Sequence, residues 1–142
     1  MKHHHLLPRL KYTPKIWTSL LFFLLLIGVF CLFQGRKEGP FRVHFNSPTL
    51  AGYYQHISNF SITYLLYATI GYLWLMLGVE IKHIILLGAA CVVANLVYEL
   101  WLPLLNTMDV VDAYYGFGGA IAGALFLWLV KAYGLDLAKE VH

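Results

Sequence analysis

Apolar residues in this chain come in long runs rather than in alternation. Four stretches, at about 16–33, 59–79, 83–105 and 112–132, are each close to the roughly 20 residues that a helix needs to cross a bilayer. Pro8 and Pro14 hold the chain out of a helix until the first run begins. That run follows a basic flank and ends in Gln34-Gly-Arg-Lys-Glu-Gly without a small-x-small cleavage site, so it is read as a retained first span. The connection Glu80-Ile-Lys82 is short enough to force spans two and three into an antiparallel pair. Gly35, Gly39, Pro40, Pro48 and Gly52 break the one long connection, residues 34–58, in which Phe41, Phe45, Tyr53 and Tyr54 stand among Arg36, Lys37 and Arg42. The expected fold is all-α, a single transmembrane domain of four bundled helices, with no internal repeat.

Within the runs the polar positions also fall at helical steps. His56, Asn59, Thr63 and Tyr67 draw one stripe down span two, and Gly88, Cys91, Asn95 and Glu99 draw another on span three. On span four Asp112 heads a stripe of small residues, Gly116, Gly119 and Gly123, at the spacing that lets bilayer helices approach closely. These three stripes are expected to face one another.

Composition places the chain firmly in lipid. It is 60% hydrophobic and 12% charged, against about a quarter charged in a soluble domain, with a mean hydropathy of +0.67. The net charge of +3 does not point to nucleic acid, because the basic residues sit at the edges of apolar runs and form no basic face. Instead they orient the chain. With four spans, Lys2, Arg9, Lys11, Lys15, Lys82, Lys131 and Lys139 fall on one side and Arg36, Lys37 and Arg42 on the other, so both termini are expected in the cytoplasm and the 34–58 loop outside. Cys31 and Cys91 lie inside spans without ligand spacing and are read as packing residues, and His3-His4-His5 as a solvated tail.

This topology gathers chemistry at one face. His56, Glu99, Asp109 and Asp112 share one level once the spans fold as hairpins. Glu99 lies six residues from the end of its span, about 9 Å deep at the helical rise. An ionised side chain costs about 2.5–3.5 kcal/mol at mid-span and less near an end. Glu99 therefore needs protonation, an ion, or a hydrogen bond from Asn95, Asn59 or His56. Asp109 and Asp112 stand at a helix start, where an acid pair can simply satisfy free N–H groups and the helix dipole; for Asp112, capping and chemistry are equally good readings. The candidate binding set is His56, Asn59, Asn95, Glu99, Asp109 and Asp112.

The segment E-L-W-L-P-L-L-N-T-M-D-V-V-D-A-Y-Y-G-F-G-G-A-I-A-G resembles the terminal motif of VanZ-like membrane proteins, in which a glutamate near the end of one span precedes a D-x-x-D pair and a glycine-spaced helix. His56, followed by Phe60, is similar to the histidine that opens an H-F-like segment in that family. The resemblance covers roughly Gln55 to Gly123 and matches at His56, Glu99, Asp109, Asp112, Gly119 and Gly123. Gly52 and Tyr53 stand where the family commonly has an acid and a lysine, Asn106 where it often has an arginine, and Gly116 where an asparagine is usual. The resemblance implies a small multi-pass protein of the bacterial cytoplasmic membrane. Members are tied to teicoplanin and other lipoglycopeptide resistance and to cell-envelope functions, with no generally established reaction.

Three functions are compatible with these residues. The favoured one is binding or modulating a lipid-linked envelope precursor, a peptidoglycan-related molecule or a glycopeptide, with no metal assigned. The second is an intramembrane enzyme acting on lipid headgroups, with His56 as general base and the three acids on a divalent cation. The third is an assembly partner in a membrane complex or a homo-oligomer, docking through the glycine stripe. The sequence names no cofactor and no catalytic residue, and four spans without interrupted helices give little from which to build a transporter.

Overall fold

A computed structural model describes residues 10–37, 52–101 and 109–138. In order the elements are β1 (Tyr12–Pro14), α1 (Ile16–Gln34), α2 (Tyr53–Leu77), α3 (Ile81–Trp101), α4 (Val110–Tyr133) and β2 (Leu135–Leu137). Among the described residues, four helices are long and apolar enough to cross a membrane and pack as a bundle, which makes this a multi-pass membrane protein. Lipid offers the backbone no hydrogen bonds, so each apolar run satisfies its own peptide groups as a helix. Most of the long connection, residues 38–51, lies outside the described residues, as do His3–His5, Asn106 and Lys139.

α1 and α4 match the expected spans to within two residues, the expected end of span three at residue 105 lies outside the described residues, and one boundary differs clearly. α2 starts at Tyr53, directly after Gly52, and not near residue 59. Tyr54 and Ile57 explain the early start, since both are buried against the bundle, Ile57 completely. His56 therefore sits inside a helix and not in a loop. At its other end α2 stops at Gly78, whose φ of 78° is left-handed backbone. Gly78 N–H donates to Leu75 O at 3.0 Å and Val79 N–H to Trp74 O at 3.0 Å, the paired closure of a Schellman turn. The chain then enters α3 antiparallel to α2, as the short connection requires.

α2 and α4 form the central pair. Gly119 of α4 lies against the Phe60 carbonyl of α2, and Gly71 of α2 lies against the Leu127 side chain. The Tyr67 ring is wedged between Gly88 of α3 and Gly123 of α4. α1 adds to the pair through Phe22, which stacks on Tyr72 at 4.1 Å and on Phe126 at 6.0 Å. Its opposite surface, with Ile16, Leu20, Phe23, Leu24 and Ile27, is exposed and apolar, as suits lipid.

The sequence pattern had no place for strands, yet the flanks of α1 and α4 pair as a short antiparallel ribbon, with Tyr12 opposite Leu137 and Pro14 opposite Leu135. Lys11 N–H donates to Met76 O at 2.9 Å, which ties the ribbon to the Gly78 end of α2, and Lys15 N–H donates to Gly134 O at 2.8 Å, which ties it to the end of α4. Thr18, fully buried in the first turn of α1, directs its hydroxyl to Lys15 O at 2.7 Å and Gly134 O at 2.9 Å. The ribbon thus places the chain before α1 and the chain after α4 at one end of the bundle. Three-residue strands, one containing a proline without an N–H, carry no periodic signal.

Candidate functional site

The other end of the bundle holds the polar residues. α4 begins there with Asp109 as its N-cap: extended backbone lets Asp109 Oδ1 accept the Val111 N–H at 2.8 Å. One turn on, Asp112 points toward α2. His56, in the first turn of α2, directs Nδ1 to Asp112 Oδ1 at 2.7 Å, so the imidazole carries its hydrogen on that nitrogen and the carboxylate accepts it. Asp109 Oδ2 stands 3.6 Å from the same nitrogen. The Tyr115 ring lies 5.5 Å from the imidazole and Tyr53 packs on Tyr115 at 5.8 Å, giving the cluster an aromatic wall.

Glu99 forms a separate subsite. It is 2% exposed, and its Oε1 accepts a hydrogen bond from Asn59 Nδ2 at 2.8 Å. Of the three partners expected for this carboxyl, that bond belongs to Asn59. Asn95 is used elsewhere: its Nδ2 donates to Ala113 O at 3.2 Å, and its amide fills the space left by the missing side chain of Gly116. Asn95 is thus a clamp between α3 and α4, although it also borders the cavity described next.

That cavity, about 610 Å³, runs between α2 and α3. Arg36, Gln55 and Asp112 line its polar end, Ser58, Asn59 and Glu99 its middle, and Ile62, Leu66 and Cys91 its apolar end. From Gln55 to Leu66 the helix rises about 16 Å. Ile62 is 48% and Leu66 51% exposed, so the apolar end is open sideways rather than sealed. The groove exists because the close α2–α4 seam, built on glycines, draws α2 toward α4 and leaves room on the α3 side.

Of the predicted stripes, Asn59 and Thr63 do face the cavity, His56 turns to α4, and Tyr67 is buried. Gly116, Gly119 and Gly123 are all buried against internal partners, so the stripe offers no outward docking face. Arg36, Gln55 and Ser58 were not among the sequence candidates. Gln55 and Ser58 could have been found from their three-residue step beside the His56 stripe, but Arg36 carries no such signal. No family model, no curated protein and no solved structure matches this chain.

Proposed function

We propose that this protein binds an amphiphilic envelope molecule, a lipid-linked or peptidoglycan-related one, from the outer leaflet of a bacterial cytoplasmic membrane. The observation that carries this reading is the cavity itself. It combines a polar end and a buried carboxyl with an apolar end that opens sideways between two candidate spans. A headgroup rich in hydroxyl or ammonium groups suits Asn59 and Glu99, and an attached chain suits Ile62 and Leu66. The volume is within the range of small-ligand pockets, about 300–1,000 Å³.

Charge supports the orientation. Lys11, Lys15, Lys82 and Lys131 lie at the ribbon end and Arg36 and Lys37 at the cavity end, so the positive-inside tendency puts both termini in the cytoplasm and the cavity outside. The VanZ-like resemblance is part of the same proposal. It rests on His56, Glu99, Asp109, Asp112, Gly119 and Gly123, and it links the protein to glycopeptide tolerance.

Native mass spectrometry of the gently solubilised protein tests the binding, and teicoplanin tolerance of a sensitive bacterial host tests the link. Wild type should leave the detergent with a retained amphiphile. Glu99→Gln should lower its occupancy about tenfold or more, the scale of one hydrogen bond to a charged group. The same variant should remove any tolerance without lowering protein levels. Bare wild-type protein in the spectrometer would overturn the binding; tolerance unchanged in Glu99→Gln would overturn the link.

A further inference from the structure

His56 Nδ1, Asp109 and Asp112 offer one donor atom each, all within 4.8 Å of one another. A hydrogen bond between His56 and Asp112 accounts for the 2.7 Å contact but leaves the second oxygen of Asp109 unexplained. Asp109 caps its helix through Oδ1 alone. Its Oδ2 is turned toward His56 Nδ1 at 3.6 Å, beyond hydrogen-bond range, and the one hydrogen on that nitrogen is already directed at Asp112. Two carboxylates therefore converge on a single imidazole nitrogen at the end of a membrane-spanning bundle, where excess negative charge is costly. The imidazole comes from α2 and the acids from α4, so the arrangement is more than a capped helix start.

We propose that these three residues bind a divalent first-row cation of the Zn²⁺ or Mn²⁺ type. One imidazole nitrogen and two carboxylate oxygens are a donor set that such ions accept. Ligand atoms about 2.1 Å from an ion lie about 3.0–3.4 Å apart, and the observed 2.7 and 3.6 Å bracket that spacing. The ion would take the place of the Nδ1 hydrogen, with the neutral imidazole then carrying its hydrogen on Nε2, and the two carboxylates would balance the two charges of the ion. Asp112 also lines the polar end of the cavity, so an ion held by it would border the cavity. Three protein ligands with an open position make a site that takes an outside ligand. The ligand assigned here is an anionic oxygen, of phosphate chemistry, on the occupant's headgroup, with Asn59 and Glu99 receiving the neighbouring hydroxyl or ammonium group. This last assignment rests on the amphiphile reading above; the ion site does not.

The test uses the full-length protein in detergent, stripped with EDTA, desalted and titrated with Mn²⁺ alone, with free ion followed by electron paramagnetic resonance. The expected result is one saturable ion per chain. Asp109→Asn keeps a capping oxygen but loses the carboxylate, and together with His56→Gln it should weaken binding by about tenfold or more, the scale known for loss of even an outer-shell partner. Glu80→Gln, an exposed acid paired with Lys82 at the ribbon end, should change nothing. If a variant fails to fold, electron spin-echo modulation on wild-type protein decides, since a bound Mn²⁺ must show coupling to an imidazole nitrogen. No saturable binding, no nitrogen coupling, or an Asp109→Asn variant that folds and binds like wild type would each overturn the site. Mn²⁺ bound without any retained amphiphile would overturn the amphiphile reading only. An amphiphile retained by a protein that takes up no Mn²⁺ would overturn the ion site only.

Discussion

Gly119 and Gly118 are adjacent in α4, and the structure predicts opposite consequences for the same substitution. A Cβ on Gly119 would fall on the Phe60 carbonyl oxygen, 3.1 Å from the carbonyl carbon and 3.2 Å from Cα, all of them backbone atoms that cannot rotate away. A Cβ on Gly118 meets only Phe60 Cδ2, at an ordinary 3.7 Å. Both alanines gain the same helix propensity, about 0.5–1 kcal/mol. Gly119→Ala alone adds an overpacking cost of about 1–3 kcal/mol. Comparing the two variants cancels the propensity gain and isolates the steric cost, so Gly119→Ala should be less stable than Gly118→Ala by about 1–3 kcal/mol. Unfolding in mixed micelles titrated with dodecyl sulfate, followed by circular dichroism, measures it. The strain also reaches the site, because His56 is one turn before Phe60 and Asp112 two turns before Gly119 on the same seam. Equal unfolding midpoints, or a more stable Gly119→Ala, would refute the close approach of α2 and α4.

Two further substitutions probe the ends of the bundle. Asp109→Ala removes the N-cap of α4 and should cost about 0.5–2 kcal/mol, while Asp109→Ser, which keeps a capping oxygen, should recover most of it; thermal unfolding of both checks this, and equal losses would deny Asp109 its capping role. Thr18→Val keeps the shape of a fully buried side chain but removes its hydroxyl from Lys15 O and Gly134 O, at about 0.5–1.5 kcal/mol. Amide hydrogen exchange at Lys15 and Ala138 should accelerate as the ribbon frays, and unchanged exchange would mean that the hydroxyl does not anchor it.

The four spans were legible because their cause is local: an unbroken apolar run in lipid has only the helix with which to satisfy its backbone, and a three-residue connection permits only an antiparallel hairpin. The common level of His56, Glu99, Asp109 and Asp112 followed from the same logic, since hairpin topology alone brings the end of α3 and the starts of α2 and α4 together. The glycine spacing on α4 likewise announced a tight seam. None of these features requires knowing which way a helix is rotated.

Rotation is what the tertiary structure decided. Asn59 and Asn95 are equally placed by sequence to reach Glu99, yet packing turns Asn59 to the carboxyl and Asn95 across Gly116 to the Ala113 carbonyl. His56 shares a stripe with Asn59 but joins the aspartates, which divides one expected pocket into an imidazole–carboxylate cluster and a separate Glu99 subsite. The ribbon and the position of Arg36 depend on contacts between residues far apart in the chain. The sequence by itself determined the spans, their hairpin order and the depth of the polar residues, because hydrophobic length and connection length are one-dimensional quantities. Only the tertiary structure decided which polar side chains meet, because that depends on the rotation each helix adopts when glycines let two backbones touch and a third helix must fill what space remains.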